Sequence, residues 1–218
     1  RFQAIATGSG GTAELQSGAC EGCGVCADHC PANAIVLAER HCGRRIRSQT
    51  AFGTMFHAEL LPGAENSGKL ISAIRAAARR EAEKQHCDYL LSDGPPGIGC
   101  PVISAATGID FAVAVTEPTV SGIHDLKRLA VLLRQFETEF ALVVNKCDLN
   151  HAATAELEQF CARNRIPVLG RIPFDPLFPA MLRDGKTVLE APDSSAARHV
   201  AAIWHQLTRL FTQGEPSC

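Results

Sequence analysis

Residues 90–99 read Leu90-Leu91-Ser92-Asp93-Gly94-Pro95-Pro96-Gly97-Ile98-Gly99. A short apolar run with an aspartate at its exit and a glycine–proline turn behind it predicts a buried parallel strand over residues 88–93. Such a strand delivers a carboxylate to the mouth of an α/β sheet, the edge where these sheets bind ligands. In that setting Asp93 holds a magnesium ion, usually through water, and the turn leaves backbone N–H groups to sense a terminal phosphate. A strand ending in an ordinary turn aspartate has the same local pattern. The surrounding chain has to decide.

Downstream the pattern becomes regular. Residues 101–107 predict a short helix, and strands over 111–116, 140–145 and 167–172 alternate with helices over 121–136, 152–163, 176–183 and 195–211. Strands of near-continuous apolar content separated by amphipathic helices make a parallel sheet covered on both faces. Upstream, 46–50 and 55–60 alternate as two short strands, and Asn66 or Ser67 caps a helix running to about Gln85. Its Leu70, Ile71, Ile74 and Ala78 share one face, with Arg75, Arg79, Arg80 and Glu83 toward water.

The first forty residues are small, polar and cysteine-rich, with too few large apolar side chains for a core, so this segment needs metal to fold. Cys20-Glu21-Gly22-Cys23-Gly24-Val25-Cys26-Ala27-Asp28-His29-Cys30-Pro31 is C-x2-C-x2-C-x3-C-P, the spacing of bacterial ferredoxins. Thiolates two apart on a tight loop reach three corners of one [4Fe–4S] cube, and the fourth, before proline, serves the second cube of two-cluster ferredoxins. Zinc is the competing metal, but its ribbons use isolated C-x2-C pairs. Arg1-Phe2-Gln3-Ala4-Ile5 repeats the cadence of Pro31-Ala32-Asn33-Ala34-Ile35, the strand after a fourth cysteine. A first cysteine motif is therefore expected just before Arg1, leaving Cys30 to that other cube, with Cys42 either a substitute ligand or a surface cysteine. The remaining Cys87, Cys100, Cys147, Cys161 and Cys218 read as reduced, mostly buried thiols.

The chain has 218 residues, a formal net charge of −2 and a pI near 6.5. That suffices for one sizeable α/β domain plus a small appendage, and the balance calls for neither a nucleic-acid backbone nor an acidic membrane as partner. No apolar run reaches membrane-span length, and no basic segment leads into an apolar one, so the expected location is the cytoplasm.

Val143-Val144-Asn145-Lys146-Cys147-Asp148 closes a strand with N-K-x-D. In P-loop proteins this reads a purine edge through the Asn amide and, for guanine, the Asp carboxylate. Helix-capping Asn and Asp give the same letters. Arg171-Ile172-Pro173-Phe174-Asp175 ends the next strand, where Pro173 and Asp175 can flank the same base while Asp175 also caps the following helix. Gly8-Ser9-Gly10-Gly11-Thr12 has no lysine after it and reads as a hairpin loop. Gly63-Ala64-Glu65-Asn66-Ser67-Gly68-Lys69-Leu70 fits G-x-x-x-x-G-K, but Leu70 stands where magnesium needs a hydroxyl. A capped helix start with a solvated Lys69 is the better reading.

Together these motifs, with Asp93-Gly94-Pro95-Pro96-Gly97-Ile98-Gly99-Cys100-Pro101 and Val115-Thr116-Glu117-Pro118-Thr119-Val120-Ser121, resemble the MinD/Mrp-type P-loop ATPases that carry a two-cluster ferredoxin insertion. The resemblance runs from Arg1 to about Glu190. It implies a MinD-like α/β fold, a parallel sheet with helices on both faces plus a ferredoxin-like piece, divided as residues 1–42 and 43–218. It implies ATP and Mg²⁺ as ligands, two [4Fe–4S] clusters in the parent protein and a homodimer. It places Asp93 as the catalytic Walker B aspartate, Gly97 as the switch glycine, Asn145 as the base reader, and Pro118, Thr119 and Ser121 in a loop beside the nucleotide. It also implies an N-terminal strand and a deviant Walker A loop ahead of the insertion. No stretch here matches that loop, so the chain as written is expected not to hydrolyse ATP.

The function implied is ATP-dependent assembly or delivery of an iron–sulfur cluster or metallocofactor to an apo acceptor protein. The alternative is a redox-gated regulator or electron carrier with permanent clusters under ATP control. An amidase of the cobyrinic acid type finds no glutaminase nucleophile here.

Overall fold

The computed structural model describes residues 2–16, 18–20, 22–39, 41–62, 64 and 68–213, and divides the chain into two units, Arg1–Ser92 and Asp93–Cys218. The expected helix cap at Asn66 or Ser67, most of the G-x-x-x-x-G-K stretch, and Cys218 lie outside the described residues.

In the first unit, β1 (Ile5–Thr7) and β2 (Ala13–Leu15) pair antiparallel with Ile5 opposite Leu15, so Gly8–Thr12 is a hairpin loop as expected. One helical turn, α1 (Val25–Asp28), follows Gly24. No strand forms over 31–39. β3 (Gly43–Thr50) and β4 (Gly53–Leu60) make an eight-pair antiparallel ladder, and α2 (Gly68–Gln85) is joined to it by the Arg47–Glu81 ion pair. Arg75, expected toward water, is half-buried, and desolvation lowers its pKa.

The second unit begins at the organising stretch, and here the structure departs from expectation. Residues 88–93 form no strand; Leu90 and Leu91 are 45% and 76% exposed. A strand persists only where a neighbour satisfies its backbone groups, and no described segment pairs with this one. After α3 (Cys100–Ala106) come β5 (Phe111–Thr116), α4 (Val120–Gln135), β6 (Glu139–Asn145), α5 (His151–Asn164), β7 (Val168–Ile172), α6 (Leu177–Arg183), a 3₁₀ turn (Val188–Glu190) and α7 (Ser195–Gln213). The strands form a parallel sheet in the order β5-β6-β7.

Strand β6 is buried from Phe140 to Val144 and feeds both faces. Leu142 and Val144 pack with Ile123, Leu126, Ala130 and Leu133 of α4 and Leu157 and Cys161 of α5. Ala141 and Val143 pack with Leu169 and with Leu207, Ile203 and Leu210 of α7. The i, i+3/i+4, i+7 spacing gives α4 one apolar stripe, and each fully buried leucine contributes about 1.5–3 kcal/mol. Helix α7 lies so close to β7 that a Cβ on Gly170 would meet Ile203 at 2.6 Å.

Candidate nucleotide site and cysteine segment

The three parallel strands end at one edge of the sheet: Thr116 is in register with Val144, and Asn145 with Ile172. The loops leaving β6 and β7 are therefore neighbours, and two hydrogen bonds join them. The Cys147 N–H donates to the Ile172 carbonyl at 3.1 Å, and the Phe174 N–H donates to Asp148 Oδ1 at 2.7 Å. From the other side, the Thr154 hydroxyl of α5 donates to the Cys147 carbonyl at 2.7 Å. Burial and the neighbouring Asp148 carboxylate push the Cys147 thiol pKa up.

Lys146 sits in left-handed backbone at φ 51°, which costs a non-glycine residue about 1–2 kcal/mol. Its ammonium meets Glu117 at 2.7 Å, tying the exits of β5 and β6. The sequence reading missed this ion pair. The signal available was a lysine in N-K-x-D with a single acidic residue just past the preceding strand. Thr119, two residues on, accepts the Gly122 N–H at 3.0 Å as the N-cap of α4, with the Ser121 hydroxyl at 3.2 Å. These bonds make both hydroxyls part of the start of α4.

Each residue expected at the base end is accounted for. Asn145, half-buried at the last position of β6, has no side-chain partner among the described residues. Asp148 is used by Phe174. Pro173 is half-buried between the tied positions. Asp175, one residue ahead of the Pro176 N-cap of α6, accepts the Leu177 N–H at 2.9 Å in a local turn, so it is not itself the cap.

At the phosphate end, Asp93 is exposed and makes no hydrogen bond or ion pair among the described residues; as a hard oxygen donor it suits magnesium. Gly97 has φ 85°, a conformation that favours glycine. Gly99 is the N-cap of α3, with Pro101 in the first turn.

In the first unit, Cys20 and Cys23 are exposed and Cys26 and Cys30 half-buried. The structure does not gather them: among the described residues no three His, Cys, Asp or Glu stand within reach of one metal ion. The donor chemistry nevertheless fits iron–sulfur ligation. The Ala34 N–H donates to Cys30 Sγ at 3.3 Å, and backbone N–H groups, that of Ala34 foremost, hold the Cys30 thiol below its ordinary pKa. Gly22 and Gly24 both adopt left-handed backbone, giving a loop able to wrap a cluster. A ligand loop with so little core closes on its metal when the metal binds. Lys69 is exposed on α2, and Cys42 is exposed. The scattered thiols are not mostly buried: Cys161 is buried and Cys147 half-buried, whereas Cys87 follows the end of α2 and Cys100 opens α3, both exposed.

A family model described as the NUBPL iron-transfer P-loop NTPase matches residues 67–208, and one described as a 4Fe-4S binding domain matches residues 14–36. The chain belongs to the NUBPL iron-transfer P-loop NTPase family. This family member carries a [4Fe–4S]-binding segment ahead of its NTPase region. It is similar to an uncharacterized protein of Methanocaldococcus jannaschii, 30% identical over 153 residues that cover 70% of this chain and 50% of the relative. It is also similar to the septum site-determining protein MinD of Bacillus subtilis, 31% identical over 122 residues covering 53% and 46%. The chain spans about half the length of these curated relatives.

The fold is MinD-like. The MinD cell division protein of Aquifex aeolicus superposes with a TM-score of 0.54 at 21% identity, covering 74% of this chain and 66% of that one. MinD from Pyrococcus horikoshii, a structure complexed with Mg-ADP, gives 0.54 at 18%, covering 71% and 61%. No helix among the described residues is long and apolar enough to cross a membrane.

Proposed function

We propose that the complete protein is a cytoplasmic homodimer that binds and hydrolyses ATP to assemble or deliver an iron–sulfur cluster or metallocofactor to an apo acceptor protein. The observation that carries this is the presence in one chain of a [4Fe–4S]-binding segment at 14–36 and an iron-transfer NTPase segment at 67–208. The division of labour follows residues 1–42 and 43–218. Asn145 reads the base, and Pro173 and Asp175 line its flank. Asp93 would hold Mg²⁺, which when bound neutralises charge on the transferring phosphate. Gly97 lets the 94–99 turn change shape between nucleotide states. Cys20, Cys23, Cys26 and Cys30 would hold the cluster, Cys30 in company with a second cluster.

The test is anaerobic reconstitution of the complete protein, followed by transfer to an apo-ferredoxin acceptor, read by visible circular dichroism with ATP, with ADP and without nucleotide. Transfer that accelerates with ATP is expected. Neither transfer nor any ATP dependence would sink the proposal.

One observation favours a second reading, a redox-gated regulator or electron carrier with permanent clusters. The N–H to sulfur bond at Cys30 is the kind that stabilises a held cluster. Clusters that survive a strong iron chelator in the presence of ATP select this reading, and clusters lost to it select delivery.

A further inference from the structure

Helix α4 buries Ile123, Leu126, Ala130 and Leu133 and turns a second stripe away from the core. His124, Lys127, Arg128 and Val131 stand at i, i+3, i+4 and i+7, so they share one face. With Ile98, the half-buried residue after Gly97, they line an open groove of about 490 Å³. Among the described residues its lining is two aliphatic and three basic side chains, with no carboxylate. In a chain of net charge −2 this is a local inversion of sign.

The charges are available to a ligand. Arg128 is exposed and makes no hydrogen bond or ion pair among the described residues. Lys127 meets Glu156 of α5 at 3.0 Å, and His124 Nδ1 stands 3.6 Å from Asp125 Oδ1, but both pairs join exposed groups. Such pairs are worth about 0–1 kcal/mol, so an incoming carboxylate can exchange for either partner. The aliphatic side chains come from two segments, Val131 from the helix, where it is 56% exposed, and Ile98 from the glycine turn. An apolar anchor point inside a charged rim is the pattern of a protein–protein contact. A phosphate backbone uses the charges and has no need of the aliphatic floor.

We propose that this groove docks an acidic segment of a partner protein, with carboxylates against Arg128 and Lys127 and one apolar side chain between Ile98 and Val131. For the identity of that partner, the apo acceptor, the inference rests on the proposed function. Helix α4 is anchored in the core, whereas Ile98 adjoins the turn that carries Gly97. A partner seated here therefore touches both a fixed wall and a slack one, and its affinity and that of the nucleotide are linked in both directions.

The test measures binding of the complete protein, with ADP and with ATP, to an acidic apo-ferredoxin by fluorescence anisotropy, and follows cluster transfer in parallel. Arg128→Glu and Val131→Ser probe the groove, and Arg209→Glu, at an exposed position of α7, is the charge-matched control. Wild type is expected to bind, and to bind less as salt is added. Arg128→Glu weakens binding about tenfold and Val131→Ser about fivefold, Arg209→Glu leaves it unchanged, and ATP hydrolysis without acceptor stays at the wild-type rate in all three. No binding by wild type overturns the proposal. So does equal weakening by Arg128→Glu and Arg209→Glu, which is a response to net charge alone. Displacement of the acceptor by a short DNA duplex, with the same dependence on Arg128, makes the face a phosphate-backbone site and overturns it too. Binding that needs Arg128 and Val131 but is alike in ADP and ATP, with no transfer, keeps the docking groove and removes the proposed function. ATP-dependent transfer untouched by Arg128→Glu does the reverse.

Discussion

Gly122→Ala tests whether the frame behind the base end is as tight as its geometry. Gly122 is the third residue of α4, and an ideal Cβ there lies 2.4 Å from the Glu117 carbonyl oxygen and 2.8 Å from Thr116 Oγ1. The carbonyl cannot swing aside, because it accepts the Thr119 N–H at 2.8 Å. Alanine gains up to about 1 kcal/mol in helix propensity. Against that stand about 1–3 kcal/mol of overpacking and part of the Thr119 cap, itself about 1 kcal/mol. The steric side wins, and the net loss is about 1–3 kcal/mol. At about 2–4 °C per kcal/mol for a chain of this size, Tm falls by about 2–12 °C, measured by circular dichroism with urea titration alongside. Gly10→Ala is the control: nothing lies within 4 Å of its Cβ, and a change within about 0.5 kcal/mol is expected. A Gly122→Ala protein that melts at or above wild type refutes the reasoning.

Leu157 of α5 is 0% exposed and packed in the cluster that joins α4, α5 and β6. Leu157→Ala is expected to cost about 2–5 kcal/mol in urea unfolding, and a loss under 1 kcal/mol would mean that the core collapses to fill the gap. Cys161, buried beside it, has its thiol pKa pushed up from 9.0 to about 11, first by desolvation and then by Glu158. A raised folded pKa means its stabilisation is fully present below pH 9 and is lost as pH climbs through 11, about 2–3 kcal/mol in all. Wild type should lose more stability than Cys161→Ala between pH 8 and 10.5, and parallel pH profiles would contradict this.

The helices and strands after residue 100 were legible because each signal there is local and redundant. Strand β6 announces itself by five consecutive apolar residues between a charged start and Asn145, and α4 and α5 by their amphipathic spacing; Thr119 and Asn150, which cap them, were not read as caps. Residues 88–93 carried an equally good local signal and formed no strand, because a strand is a property of two segments and the letters of one do not report its neighbour. The same limit applies at the site. The letters N-K-x-D do not report the approach of Phe174, whose N–H donates to Asp148 Oδ1. Asp175 was expected to cap α6; the cap position falls on Pro176 instead, and the single bond from the Leu177 N–H leaves one Asp175 oxygen without a partner among the described residues. The cysteines are the reverse case: spacing and composition name the metal, while the geometry awaits it.

The two ends of the candidate site differ in how they are held. Four contacts fasten 145–148, to Glu117, to Ile172, to Phe174 and to Thr154. Residues 93–98 make no hydrogen bond among the described residues, and the next residue, Gly99, accepts one from Ile103 at the head of α3. ATP and ADP share the base and differ at the terminal phosphate, so a ligand can shift this protein only through contacts that change there. Rigidity belongs at the base, where the two nucleotides are alike and freedom would cost affinity for both. Slack around Gly97, where they differ, is what the proposed function uses to turn that difference into a change of shape. Asp148 contributes to the first requirement through the bond that its Oδ1 accepts from the Phe174 N–H.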